Sequence, residues 1–259
     1  MQHSTGYVVG FATAVCLVCA VIVSGAAVGL KDRQAANKLL DRQQKVLTVA
    51  GLIEDGADLS REEITSLYAS SIQARVIDLE TGEPNETVDP TEFDQIAASK
   101  DPERSTKAPE NLAKIMRLPN QALVFDVVQD GERKALILPI EGYGLWGTLY
   151  GYLALEPDAR TIVGITFYQH KETPGLGGEV DNPRWKALWP GRLAFNERGV
   201  PSIAVKKGPA GSPSEDPYNV DGLSGATLTS RGVTNLLRFW LGDDGFGPYL
   251  EKYRAQTGA

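Results

Sequence analysis

An uncharged segment near the N-terminus constrains the fold of this chain more than any other feature. Residues 7–30 contain no Asp, Glu, Lys or Arg. As an α-helix this segment would be about 36 Å long, which exceeds the roughly 30 Å hydrocarbon core of a bilayer. A cleaved signal peptide is the alternative, because residues 24–27 are small. The apolar length and the lack of a preceding Lys or Arg favour an uncleaved transmembrane helix.

The charges that flank this segment are asymmetric. Five basic residues follow it: Lys31, Arg33, Lys38, Arg42 and Lys45. By the positive-inside rule, this pattern would keep the rest of the chain in the cytoplasm.

The remainder of the chain predicts a stalk helix and one domain, so we divide the sequence into a tail (1–6), the membrane helix (7–30) and the region 31–259. Apolar residues recur with helical spacing over 32–51, which predicts that the helix continues beyond the membrane. Ser60 and Glu63 match a capping box, and 75–79 alternates like a strand. Residues 81–110 are polar and contain proline, which predicts a long loop.

The second half of the chain predicts an antiparallel sheet. Apolar runs at 123–128 and 135–140 flank Asp130-Gly131, a typical hairpin turn. Further strand-like runs occur at 148–155, 161–168 and 201–207. The predicted fold class is therefore α+β, with an antiparallel sheet, flanking helices and one N-terminal membrane helix.

Composition excludes several functions. A net charge of −7 and a pI near 5.0 argue against nucleic-acid binding. Cys16 and Cys19, the only cysteines, share one face of the apolar helix; they could ligate iron, although packing is the usual role of such thiols. His170 is the one histidine of the region 31–259, so no zinc or hydrolytic site is predicted. Redox activity would therefore require a bound cofactor.

Residues 221–227, Asp-Gly-Leu-Ser-Gly-Ala-Thr, surround the hydroxyl of Thr227 with small residues. Backbone N–H groups in such a loop are open to a phosphate. The alternative is a Gly-rich turn before a helix that Thr229 or Ser230 would cap. The apolar face of that helix would consist of Val233, Leu236, Leu237 and Trp240.

Two other segments have a similar dual interpretation. Residues 170–179 predict a loop with a sharp turn at Pro174-Gly175, in which Leu176 could cover a flat ring or the chain could simply turn. Residues 141–147 place Tyr143 and Trp146 beside three glycines. These aromatic residues could stack near a flavin or fill the core.

Together these segments resemble a known family. Residues 221–227 resemble the flavinylation motif of FMN-binding subunits in respiratory redox pumps, and Glu-Thr-Pro-Gly-Leu-Gly at 172–177 resembles their second motif. Gly-Tyr-Gly-Leu-Trp at 142–146 is similar to the C subunit of the Na+-translocating NADH:quinone oxidoreductase in particular. The resemblance extends from the membrane segment to Trp240.

The resemblance implies a covalent flavin. A flavin transferase would join FMN through a phosphodiester to Thr227 and would recognise Asp221 and Ser224. Lys206 and Lys207 could compensate the phosphate charge. The full set of residues expected near FMN is Trp146, Glu172, Thr173, Gly175, Leu176, Lys206, Lys207, Ser224, Gly225, Ala226, Leu228 and Thr229.

The resemblance also implies partners and a location. The chain would be one of six subunits in a bacterial inner-membrane enzyme that oxidises NADH, reduces ubiquinone and transports sodium, and it would not be catalytic alone. Its main domain would be periplasmic, in disagreement with the flanking charges. Two alternatives are the FMN subunit of a ferredoxin:NAD+ oxidoreductase and a non-catalytic, membrane-tethered sensor or assembly module.

Overall fold

The first unit of the protein is built on one long helix. The computed structural model describes residues 4–257, so residues 1–3 of the predicted tail lie outside the described residues. The chain divides into two compact units, Met1–Arg42 and Gln43–Ala259. Helix α1 (Thr5–Val49) is long and apolar enough to cross a membrane. The predicted membrane and stalk helices are therefore one continuous helix.

The second unit combines helices with an antiparallel sheet. Its helices are α2 (Arg61–Ser71), α3 (Gln95–Lys100), α4 (Pro183–Lys186), α5 (Thr227–Leu241) and α6 (Gly247–Thr257). Its strands are β1 (Ile72–Asp78), β2 (Ser105–Lys107), β3 (Arg117–Pro119), β4 (Gln121–Gln129), β5 (Glu132–Tyr143), β6 (Thr148–Leu155), β7 (Ile162–Gln169), β8 (Ala204–Val205) and β9 (Asn219–Val220). A 3-10 turn spans Gly177–Asp181.

The main sheet has the strand order β1-β4-β5-β6-β7, and all of its neighbouring strands are antiparallel. Asp130 and Gly131 have φ angles of 53° and 78°, which suits the tight turn of the β4–β5 hairpin. The predicted fold class and hairpin are confirmed. The capping box is also confirmed, because Ser60 and Glu63 bond reciprocally at the start of α2.

The sheet is buried on both faces. Leu138 and Leu153 belong to a core that includes Leu236 and Trp240 of α5 and Leu250 of α6. Side chains that alternate with these along the strands point to the other face of the sheet. On that face Ala98 of α3 packs with Val76 and Leu123. The end of β5 packs against α5, and the ends of β5 and β7 carry the loops that contain residues 144–147 and 170–176.

The structure corrects two expectations and adds one helix. The predicted loop 81–110 contains α3 and β2, because Asp94 caps α3 and the buried Phe93 anchors this segment to the sheet. Only Ala204–Val205 of the predicted strand 201–207 is extended, and it pairs in parallel with β9. Helix α6 was not predicted.

Candidate functional site

The carboxylate of Glu172 joins the three motif segments. This side chain is 5% exposed. One oxygen, Oε1, accepts hydrogen bonds from the backbone N–H groups of Leu145 (3.0 Å) and Trp146 (2.9 Å). The other oxygen, Oε2, accepts from the Thr229 hydroxyl at 2.5 Å. The loops after β5 and β7 therefore meet the first turn of α5 at one buried anion.

Close packing around this carboxylate requires glycine. A Cβ on Gly144 would lie 2.6 Å from Glu172 Oε1, and a Cβ on Gly177 would lie 2.5 Å from both Glu172 Oε2 and Thr229 Oγ1. Any larger residue at either position would push the segments apart. No local pattern in the sequence indicates that these two glycines face Glu172.

His170 supports the same loop. Its Nδ1 accepts from the backbone N–H of Glu172 at 3.2 Å, and its Nε2 lies 2.7 Å from a carboxylate oxygen of Asp181. These contacts orient the segment that presents Glu172, which is a structural role.

Thr227 and Thr229 occupy opposite environments. Helix α5 begins at Thr227, and its N-cap, Ala226, offers no side-chain acceptor. Thr227 is exposed, and its hydroxyl forms no hydrogen bond with any residue in the described part of the chain. Thr229 is fully buried and bonded to Glu172. Only the first of these two hydroxyls is open to modification.

The alternative cap assignment is wrong. Thr229 and Ser230 lie within the first turn of α5, and the Ser230 hydroxyl accepts from the Leu223 N–H at 3.1 Å. The first N–H groups of a helix lack intrahelical partners, and the helix dipole makes this end positive. An uncapped N-terminus next to a free hydroxyl suits a phosphate ester.

The turn before α5 is shaped by Leu176. Gly225 has a φ of 70°, and a Cβ there would lie 2.9 Å from Leu176 Cδ2. Gly175 also has a positive φ, 75°, and places the exposed Leu176 against this turn. Ala226 is buried, whereas Ser224 is exposed beside Gly225.

Asp221 anchors the loop that contains Ala210. Its Oδ1 accepts from the Ala210 N–H at 2.8 Å, and its backbone carbonyl accepts from Trp185 Nε1 at 2.9 Å. Trp185 is a contributor that sequence reasoning missed, because 36 residues separate it from Asp221.

The two lysines differ in their contacts. Lys206 forms an ion pair with Asp216 at 3.1 Å, whereas Lys207 is exposed. The Gly222 N–H donates to the Gly208 carbonyl at 3.0 Å, so the lysine segment lies beside the turn that precedes Thr227. Lys207 is thus the more available charge.

Exposed apolar side chains lie on the three segments that meet at the first turn of α5, which begins at Thr227. Trp146, Leu176 and Leu228 are 63%, 44% and 52% exposed, and Thr173 is exposed next to them in sequence. A flat aromatic group joined to Thr227 would find apolar contacts here, and its phosphate would find helix N–H groups. The residues present fit FMN.

Comparison with known proteins agrees with this fit. Residues 144–242 match the FMN-binding domain family. The C subunit of the Na+-translocating NADH-quinone reductase of Pseudomonas aeruginosa is 49% identical over 256 residues, which cover 98% of this chain and 97% of that protein. The corresponding protein of Yersinia pestis is 46% identical over 92% of this chain and 89% of its own.

Solved structures show the same relationship. NqrC of Shewanella oneidensis is 35% identical with a TM-score of 0.78, and the match covers 85% of this chain and 99% of that one. The C subunit of the reductase from Parabacteroides distasonis is 30% identical with a TM-score of 0.66, over 85% and 96% of the two chains.

This chain belongs to the NqrC family, the C subunits of Na+-translocating NADH-quinone reductases. The resemblance inferred from the three motifs is therefore confirmed, and its FMN-binding region begins at Gly144, in the turn after β5. The names of the NqrC relatives make them part of an oxidoreductase complex. Membership of this family favours a role in a sodium-pumping reductase over the two alternatives, the FMN subunit of a ferredoxin:NAD+ oxidoreductase and a membrane-tethered sensor or assembly module.

Proposed function

We propose that this chain relays electrons through FMN that is linked by a phosphodiester to Thr227. The observation that carries the proposal is the contrast between two hydroxyls on one helical turn. The Thr227 hydroxyl is exposed and free of hydrogen bonds within the described residues, whereas Thr229 donates to Glu172. The named relatives support a role as the flavoprotein subunit of the sodium pump.

Each part of the site has a distinct task in this proposal. The first N–H groups of α5 and the charge of Lys207 stabilise the phosphate. Leu176 and Trp146 contact the ring and limit its access to water. Glu172 fixes the loops that present these side chains, and the transferase reads Asp221 and Ser224. Bound FMN supplies reversible acceptance and release of electrons, which these side chains do not provide.

The proposed setting is an inner-membrane complex. The α1 helix anchors the protein, the second unit is periplasmic, and the remaining subunits of a six-subunit Na+-translocating NADH-quinone reductase deliver and remove electrons. A covalent link avoids dissociation of the cofactor where free FMN is scarce.

Covalent attachment is tested by co-expression with the flavin transferase. The intact mass should rise by one FMN less water, and the denatured band should fluoresce. Thr227→Ala should abolish both signals. Thr229→Ser, which keeps a hydroxyl for Glu172, is the matched control and should retain them. A fluorescent Thr227→Ala band would contradict the assignment.

The relay role is tested in the assembled complex. Thr227→Ala should leave NADH oxidation by artificial acceptors intact, because these can take electrons upstream. Quinone reduction and sodium transport should be lost together. Sodium-coupled quinone reduction at the normal rate in this flavin-free variant would make the protein a scaffold instead.

A further inference from the structure

Exposed apolar side chains concentrate at one end of the second unit. Within residues 43–257, six large apolar side chains are more than two-fifths exposed: Leu112, Met116, Trp146, Leu176, Val200 and Leu228. Val200 lies in the turn between Asn196 and Pro201. This turn is close to the start of β7, because the nearby Leu193 forms a β-bridge with Thr161. The other five lie near the opposite ends of the strands, and we call them the apolar face.

Hydrogen bonds fix the segment 112–116 beside the site. The Tyr143 N–H donates to the Ala113 carbonyl at 2.9 Å, and Asn235 Nδ2 donates to the Leu112 carbonyl at 3.2 Å. Ala113 of this turn is buried, whereas the Leu112 side chain is exposed. These exposed side chains are therefore held in place rather than carried by a loose loop.

Unpaired positive charges accompany the apolar face. Lys114 Nζ lies 4.8 Å from the centre of the Tyr143 ring, and the Lys171 side chain would lie 3.2 Å from a Cβ on Gly147. Neither lysine has a carboxylate within 4.0 Å in the described part of the chain. Such charges are notable because the whole chain carries −7.

A pocket of about 370 Å³ opens next to this face. Its lining includes Met116, Lys114, Tyr143, Lys100 and Tyr150, together with the acidic residue Glu141. A recess of this size beside exposed apolar side chains can receive an anchoring side chain from another protein.

We propose that the apolar face docks a protein partner whose own apolar surface is bordered by carboxylates, and that electrons pass across this contact. An apolar centre with a charged rim is the usual anatomy of such interfaces, and opposite charges speed the encounter. The electron-transfer part rests on the proposed function, because two members of the face lie close to Thr227: Leu228 follows it in the chain, and Leu176 packs against Gly225 of the preceding turn.

Photo-crosslinking in the assembled membrane complex tests the docking. A benzophenone amino acid replaces Leu112 or Met116 in the full chain, and Val200 is the matched control because it is also half-exposed and apolar. We expect adducts with one other protein of the complex from positions 112 and 116, on peptides containing Asp or Glu, and none from position 200. Adducts only with lipid, only with a second copy, or with no protein would overturn the proposal.

Charge reversal gives a second measurement. Lys114→Glu together with Lys171→Glu should slow electron transfer to the partner by about tenfold and reduce its salt dependence, while intact mass shows FMN still attached. Lys114→Arg and Val200→Glu should behave like the parent protein. An unchanged rate in the double variant would contradict the charge argument.

These readouts separate the two proposals. Crosslinks from positions 112 and 116 together with normal quinone reduction in the flavin-free Thr227→Ala complex would keep the docking surface and reject the relay. A working, flavin-loaded relay without crosslinks at 112 and 116 would reject the docking surface alone.

Discussion

At the scale of single residues, the site depends on one buried carboxylate. Glu172→Ala would leave two backbone N–H groups and a hydroxyl without their acceptor, which should cost about 3 kcal/mol or more of unfolding free energy. Glu172→Gln preserves the shape but not the charge and should cost less. Glu132→Ala, at an exposed ion pair, is the control and should leave the free energy of unfolding nearly unchanged. Urea unfolding of the full chain measures the free energy of unfolding of each variant. Equal losses of this free energy for Glu172→Ala and Glu132→Ala would contradict the prediction.

A second residue-scale prediction concerns Glu141. Burial raises the pKa of this carboxyl to about 7, although Lys100 acts in the opposite direction. The folded protein therefore retains a proton that the unfolded chain, with an ordinary pKa near 4.5, has released. This stabilisation is complete below the unfolded pKa and is lost as the pH rises from there through 7, by about 3 kcal/mol.

The uncharged variant Glu141→Gln should remove that dependence. It should match the parent protein at pH 5 and unfold at a higher temperature than the parent at pH 8. Thermal unfolding at both pH values measures the difference in melting temperature between the variant and the parent. The same difference at pH 5 and pH 8 would show that Glu141 does not titrate between them.

At the scale of elements, α5 lies close to the end of β5 because glycine separates them. A Cβ on Gly232 would lie 2.5 Å from the Tyr143 carbonyl oxygen and 2.9 Å from Gly144 Cα. Gly232→Ala should therefore destabilise the fold by about 1–3 kcal/mol, although alanine is the better helix former. Arg231→Ala, on the exposed side of α5, is the control. Thermal unfolding and flavin yield should both fall only for Gly232→Ala, and a stabilised Gly232→Ala would refute the packing argument.

Elements with strong local signals were predictable from sequence. Alternating residues and the Asp130-Gly131 turn specify the β4–β5 hairpin. Helix α3 has six residues and depends on contacts made by Phe93 and Ala98 with distant strands. Helix α6 buries Tyr249, Leu250 and Tyr253 over only 11 residues, too short a pattern to distinguish locally.

The site was predictable as three motifs but not as one structure. Glu172 reaches partners that are 26, 27 and 57 residues away, and no local pattern encodes such bonds. The exposure of Leu112 and Met116 is likewise set by tertiary contacts and was not predicted from the sequence. The family motifs identified the ligand, whereas tertiary contacts determined which hydroxyl is free.

At the scale of the whole molecule, the open question is the side of the membrane on which the second unit lies. Helix α1, with 45 residues, is about 68 Å long, so it is longer than the bilayer core is thick. Five basic residues follow its uncharged part and favour a cytoplasmic domain. The charge rule weakens for long translocated domains, and the proposed relay requires a periplasmic one.

Reporter fusions distinguish these orientations. Alkaline phosphatase fused after Ala259 should be active, because it folds in the periplasm, and a fluorescent protein that folds only in the cytoplasm should be dark at the same point. Replacing Lys31 and Arg33 with Gln should leave this pattern unchanged if the domain itself determines the orientation. An inactive phosphatase with a bright fluorescent fusion would place Thr227 in the cytoplasm. That result would remove the proposed electron route even if FMN were attached, because the docking partner would have to meet the apolar face on the other side of the membrane.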